Sequence, residues 1–192
     1  MNRRGFIAAI GIITVTAGCS DEGSSGSSSD TSGSGSGNGN KNRNNATTTR
    51  STEPIDVSPE DLLLSMSDLD GSGWSADGTD MDGNTASNSF ANFDSEENIL
   101  SQVTVYDSKG DAESAYDSDY TQRSDSAATS NAVTVEDLGI GSESYLYQMD
   151  IVQVVVRDVN VLGWVRHSSF DGQGDRSTAI KYAQRMQQNW RS

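Results

Sequence analysis

The sequence predicts an α+β domain in which a mostly antiparallel sheet packs against two or three helices. Alternating apolar and polar residues at 99–106 and a valine-rich run at 151–157 are typical of strands. Segments 109–123 and 175–190 place apolar side chains at three- and four-residue spacing, which is typical of helices. The order helix, strands, helix, strands, helix favours α+β over a parallel α/β fold.

The first helix is predicted at 58–66. Ser58 is a suitable N-cap, Pro59 suits the first turn, and two acidic residues follow beside the positive end of the helix. A glycine-rich turn at 70–73 then leads to Trp74.

Two strands, at 85–93 and 99–106, are expected next. The helix predicted at 109–123 follows them, and its small residues suit close packing on a sheet. Its apolar side chains are Ala112, Ala115, Tyr116 and Tyr120.

Three further strands, at 144–149, 151–157 and 161–168, follow a short Val133-Thr134-Val135 stretch. Residues 158–160 are the predicted hairpin turn between the last two strands. A helix at 175–190 closes the chain, with an apolar stripe of Ala179, Ile180, Ala183, Met186 and Trp190.

Both faces of the predicted sheet carry apolar residues. One face has Val152, Val154 and Val156, which we expect to face the helices. Since an antiparallel sheet normally has one solvated face, a second apolar face predicts either another covering layer or a binding surface. That second face has Ile151, Val155, Leu162 and Trp164.

The chain divides by composition into a signal peptide at 1–18, a lipidated linker at 19–53 and a globular domain at 54–192. Adjacent Arg3 and Arg4 precede a run of ten uncharged residues, Phe6–Val15, which is too short to span a bilayer. The arginine pair favours twin-arginine export, and an ordinary secretory signal is the alternative.

Cys19 is the only cysteine and follows Thr16-Ala17-Gly18. This resembles the lipobox of prokaryotic lipoproteins, although Thr16 stands where that pattern prefers Leu or Val. The resemblance implies lipidation of Cys19 and attachment to membrane lipid, with two acyl chains because one anchors only marginally. We therefore expect the domain at the extracellular face of the cell membrane.

The linker is poor in apolar side chains. Of the 33 residues at 20–52, 26 are Ser, Gly, Asn or Thr, so we expect no stable structure there. Asn45-Ala46-Thr47 is a glycosylation sequon, and Asn45 is either glycosylated or a chance match.

The domain at 54–192 is strongly acidic, with 24 Asp and Glu against 8 Lys and Arg, a net charge of −16. This charge excludes nucleic acid as an expected partner. Extreme acidity, few lysines and many small residues resemble proteins of salt-loving archaea, because molar salt screens the repulsion. The chain thus resembles a haloarchaeal-type lipoprotein with a twin-arginine signal and a lipobox.

Two short motifs carry a further resemblance. Leu62-Leu63-Leu64 leading to a Gly73-Trp74 pair, and the turn at 137–143, are similar to motifs of exported prokaryotic lipoproteins and extracellular kinase sensor domains. The resemblance implies a helix-backed antiparallel sheet and ligand sensing. It transfers no functional residue.

The sequence contains no motif that indicates catalysis. His167 is the only histidine, and neither adjacent serine lies in a nucleophile elbow, so we expect a solvent-facing or half-buried histidine and a non-enzymatic protein. An acidic loop around Asp77, Asp80 and Asp82 fails the EF-hand register because Ala91 stands where the bidentate Glu belongs. We expect no metal site and no cofactor.

Aromatic residues supply the candidate ligand face. Trp74, Trp164 and Trp190 suit core positions, but Trp164 with Tyr145 and Tyr147 on neighbouring strands is a candidate pocket or protein contact. The favoured function is binding or sensing of a small ligand or cell-envelope protein. The alternatives are a small extracellular hydrolase and a structural spacer of the cell coat.

Overall fold

Seven antiparallel strands form the framework of the computed structural model, which describes residues 52–130 and 134–192. The strand order is β1-β2-β3-β7-β6-β5-β4, and every pairing is antiparallel. The predicted α+β class is confirmed. The strands are β1 (Trp74–Asp82), β2 (Thr85–Asn92), β3 (Glu97–Val105), β4 (Thr134–Asp137), β5 (Glu143–Gln148), β6 (Val152–Asp158) and β7 (Val161–Ser169). The α-helices are α1 (Lys109–Thr129) and α2 (Arg176–Asn189).

Helix α2 covers one face of the sheet. As predicted, Val152, Val154 and Val156 are buried on this face, in the same core cluster as the apolar stripe of α2. Trp190 caps the helix and donates a hydrogen bond from Nε1 to the carbonyl of Leu62 at 3.0 Å. The last helix and the start of the domain therefore close the same core.

Helix α1 lies on the opposite face of the sheet. Its Tyr116 packs with Tyr145, Tyr147 and Val155 in a second, smaller cluster. Helix α1 is thus a covering layer on this face and contacts β4, β6 and β7. Leu162 and Trp164 of β7 pack against the same cluster but remain only partly buried.

The predicted β6–β7 hairpin is present, and its turn comprises residues 159 and 160, because Asp158 still belongs to β6 and pairs with Val161. Val159 has a positive φ of 51°, and the side chain of Asn160 turns inward. Its amide accepts a hydrogen bond from the N–H of Ile55 at 2.7 Å and donates to the carbonyls of Ile55 and Tyr106 at 3.1 and 2.9 Å. One side chain therefore holds the first residues of the domain against the hairpin.

The prediction of an α-helix at 58–66 is wrong. The chain forms two short 3₁₀ helices, Pro59–Leu62 and Met66–Asp68, separated by extended backbone. Leucines 62, 63 and 64 are all buried. In an α-helix these three side chains would spread over about 200° of the circumference, so one core surface cannot bury all of them.

Residues 74–82 form a strand that the sequence does not predict. β1 is an exposed edge strand, with a bulge between Ala76 and Thr79, and the three aspartates predicted to lie in a loop lie on it. Its exposed polar sequence lacks the apolar alternation by which strands are identified. Edge strands of this kind resist unwanted pairing through their charges.

Two smaller differences concern element ends. Helix α1 runs to Thr129, beyond the predicted end at residue 123. Ile151 lies in the turn between β5 and β6 rather than on the sheet, and its carbonyl accepts from the N–H of Met149 at 3.1 Å.

The signal peptide, Cys19, Asn45 and nearly all of the linker lie outside the described residues, as do residues 131–133. Within 52–130 and 134–192, neither α1 nor α2 combines the length and apolarity that crossing a bilayer requires.

Candidate functional site

A cavity of about 260 Å³ lies between α1 and the sheet. Its walls come from β3, β6, β7 and α1. The side chains that matter for its chemistry are Gln102, Gln153, Leu162, Trp164, Asp119 and Arg123. The cavity therefore combines an aromatic ring, neutral amides and one pair of opposite charges.

Strand alternation places Trp164 in this cavity. In β7, residues 161, 163 and 165 face α2 and are buried, so Leu162, Trp164 and Arg166 point to the α1 face. Trp164 pairs with Gln102 of β3 on one side and with Val155 of β6 on the other. The ring is half-buried, with its surroundings supplied by two neighbouring strands.

Helix α1 forms the other wall. Ser108 caps it by accepting from the N–H of Asp111 at 3.1 Å, which fixes where the helix begins. Asp119 accepts a short hydrogen bond from the Tyr145 hydroxyl and pairs with Arg123 at 3.4 Å. The Arg123 guanidinium lies 4.6 Å from the centre of the Tyr147 ring.

Arg166 lies beside the cavity, next but one to Trp164 along β7. Its guanidinium carbon is 5.1 Å from the centre of the Trp164 ring. One Nη donates to the side-chain oxygen of Gln153 at 3.0 Å, whereas the Nε is buried and makes no hydrogen bond. Burial and the nearby charge of Arg123 lower the pKa of Arg166.

The structure brings only one of the three predicted aromatic residues to the cavity. Trp164 lines it, but Tyr145 is 0% and Tyr147 is 7% exposed beneath α1. The Tyr145 ring meets Tyr116 and Tyr120 edge to face, at 5.6 and 5.3 Å. Burial, with the hydrogen bond to Asp119, raises the pKa of Tyr145, so the hydroxyl stays protonated. Both tyrosines are packing residues that support the wall.

His167 is more buried than the sequence predicts, with a side chain only 2% exposed. Its Nδ1 accepts from the N–H of Asp175 at 2.8 Å, which places the remaining proton on Nε2, 3.5 Å from a Glu97 carboxylate oxygen. Burial lowers the pKa of His167. Both nitrogens therefore face protein groups, and the ring offers no accessible base.

Two larger cavities have acidic rims. One, of about 590 Å³, lies between the 3₁₀ segments and β1–β2, and the other, of about 440 Å³, lies between α1 and β4–β5. A domain with a net charge of −16 places carboxylates around most of its cavities, so these rims carry little specific information. In the part of the chain that the structure describes, no group of three or more His, Cys, Asp or Glu residues is placed to hold a metal ion.

Comparisons of the chain with family models, with curated proteins and with solved structures give no match. The chemistry of the cavity is therefore the basis for proposing a function.

Proposed function

We propose that the chain is a lipid-anchored, extracellular binding protein whose domain takes up a small ligand in the Trp164 cavity. The observation that carries the proposal is the cavity between α1 and the sheet. Trp164 is half-buried there, and polar side chains from β3, β6 and α1 line the same space.

The size and lining of the cavity support a small ligand. Sites for drug-sized molecules are usually about 300–1,000 Å³ and combine apolar walls with a few placed polar groups. A volume of about 260 Å³ lies just below that range. Trp164 and Leu162 provide the apolar surface, while Gln102 and Gln153 provide amides that orient a bound molecule.

Thermal unfolding of the chain in molar salt against a panel of small metabolites tests this function. A ligand at 100 times its dissociation constant adds about 2.7 kcal/mol of stability. For a domain of this size, we expect the midpoint to rise by about 5–15 °C. The metabolite that produces the rise identifies the class of ligand.

Trp164→Leu and Trp74→Leu form a matched pair of variants. Both tryptophans are half-buried, but Trp74 packs against the core on the α2 side of the sheet. We expect Trp164→Leu to abolish the ligand-induced rise and Trp74→Leu to retain it. Equal loss in both variants would contradict binding in this cavity.

The anchor has its own test. In cells, a Cys19→Ser variant should leave the membrane fraction and appear in the soluble external fraction, because the acyl chains attach to this thiol. A variant that stays fully membrane-bound would contradict lipidation at Cys19.

A cell-envelope protein is the second candidate partner, favoured by an exposed aromatic pair. Phe93 is 71% and Phe170 is 47% exposed, and their rings meet edge to face at 5.8 Å. Paired exposed aromatic rings on an otherwise acidic surface are typical of a protein contact. A flat metabolite panel, with a cross-link in intact cells that Phe93→Ser removes, would favour this function over ligand binding.

A further inference from the structure

The ion pairs of the domain leave one basic side chain without an acidic partner. All eight Lys and Arg residues of 54–192 lie within the described part of the chain, and seven of them form ion pairs with carboxylates. The exception is Arg166. Since carboxylates outnumber bases 24 to 8 in this domain, a base without a partner is not explained by a shortage of acids.

Arg166 is also poorly satisfied as a hydrogen-bond donor. A guanidinium has five N–H groups, and the described contacts of Arg166 are one bond to Gln153 at 3.0 Å and the Trp164 ring. Its Nε is buried without a hydrogen-bond partner. A buried donor in this state destabilises a fold unless something else binds it.

Arg123 lines the cavity itself, whereas Arg166 lies beside it, in contact with two lining residues, Trp164 and Gln153. The ion-pair partner of Arg123, Asp119, also accepts from Tyr145, so one carboxylate serves one arginine and a phenol. The surroundings of the cavity thus hold two positive charges against one negative charge, in a domain whose net charge is −16. This local excess of positive charge favours binding of an anion.

We infer that the ligand of this cavity is a small organic acid with a flat body, whose carboxylate binds Arg166 and whose body packs on Trp164. The inference rests on the proposed function and names its ligand class. A planar guanidinium binds a carboxylate through two parallel hydrogen bonds. The flat body is needed because molar salt screens a purely electrostatic contact.

Matched pairs of probes test the inference on the full chain in molar salt. Benzoate and benzamide share a flat ring, as do indole-3-acetate and indole-3-acetamide, but only the acids carry a charge. Binding is followed by the NMR signal of the Trp164 indole N–H, which Trp164→Leu assigns. We expect each acid to bind at least tenfold more tightly than its amide.

Arg166→Gln should remove the preference for the acid. Arg166→Lys should reduce it, because lysine keeps the positive charge but lacks the two parallel N–H donors of the guanidinium. Arg176→Gln is the matched control, since Arg176 is an exposed arginine paired with Glu136 at 2.6 Å. We expect the control to bind as the unchanged chain does. If Arg166→Gln does not fold, the lysine variant still decides the outcome.

The outcomes separate the two proposals. Equal binding of acids and amides would overturn the charge inference while supporting the cavity as a binding site. A preference that persists in both Arg166 variants would overturn the role of Arg166. Absence of binding by all four probes would count against the cavity and the ligand class together.

Discussion

Replacing Asn160 with aspartate should lower the free energy of unfolding of the domain substantially, although the two side chains have almost the same volume. The Asn160 side chain is 3% exposed and makes three hydrogen bonds to the backbone. Two of these bonds donate from Nδ2 to the carbonyls of Ile55 and Tyr106. An ionised carboxylate has no donor, so Asn160→Asp turns both contacts into an approach of two acceptors.

The expected cost follows from the two carbonyls left without their donor. Each buried polar group that loses its partner costs about 1–3 kcal/mol, so the variant should lose about 2–6 kcal/mol. Domains are typically stable by about 5–15 kcal/mol, and the loss is therefore a large share. The third bond, from the Ile55 N–H, can persist because a carboxylate still accepts it.

Acid should partly rescue this variant. The two carbonyls disfavour the ionised form, so the introduced carboxyl has a raised pKa in the folded state relative to about 3.9 when unfolded. A raised folded pKa means that stability is fully present below the unfolded pKa and is lost as the pH rises from there through the folded pKa. The gap between the variant and the original chain should therefore shrink as the pH falls toward 4.

Urea unfolding in molar salt at several pH values measures this gap. Asn84→Asp is the matched control, because Asn84 also donates its amide to a strand carbonyl, that of Val105 at 2.7 Å, but is exposed. Water can replace that bond, and we expect a loss below about 1.5 kcal/mol. If Asn160→Asp costs no more than the control, or if its cost grows in acid, the role assigned to Asn160 is wrong.

Three further predictions concern packing, protonation and charge. Gly163→Ala should lower the free energy of unfolding, measured in urea, by about 1–3 kcal/mol. An added Cβ would lie 2.8 Å from Cζ2 of Trp190 and 2.9 Å from the backbone oxygen of Gln102. An unchanged midpoint would contradict this tight contact. NMR titration of His167 should give a pKa below 6.5 and a proton on Nε2 at neutral pH. The free energy of unfolding should therefore fall as the pH drops from 6.5 toward the folded pKa. A folded pKa above 6.5 would refute this. The midpoint of thermal unfolding should rise steeply from low to molar salt, since screening relieves a net charge of −16, and a salt-independent midpoint would argue against salt adaptation.

The elements predicted correctly from the sequence are those in which burial dictates residue type. β6 is buried along its whole length, and its valine run is readable as a strand without any other information. Helix α2 shows its apolar stripe at helical spacing for the same reason. β1 has no buried side chain, and therefore its sequence carries no periodic pattern.

Leu62-Leu63-Leu64 shows how tertiary packing overrides local preference. Ser58, Pro59 and the two acids after them indicate a helix start, and the chain does begin a helical turn at Pro59. The three leucines are buried in the same core cluster as Trp190, whose Nε1 donates to the carbonyl of Leu62. The backbone becomes extended at Leu63, so the helical turn ends there and all three side chains can reach the core.

The sequence predicts only part of the candidate site. It indicates Trp164, because a tryptophan on a predicted strand face is either core or contact surface, and the position in the strand indicates the face. Tyr145 and Tyr147 share that face, so the sequence alone does not separate them from Trp164. Their separation from the cavity depends on where α1 crosses the sheet, which no local pattern encodes.

Arg166 could not have been identified from the sequence, because its distinguishing property is the lack of a partner. An arginine in an acidic chain is expected to find a carboxylate, and seven of the eight basic residues do so. The exception emerges only when every pairing is known in three dimensions. In a domain with strong negative self-repulsion, each ion pair adds stability. Arg166 instead lies beside Trp164 with a buried Nε that makes no hydrogen bond, which costs stability and is not explained by packing alone. A ligand that supplies the missing acid would remove that cost, which is why we infer the ligand class from the unpaired base rather than from the abundant acids.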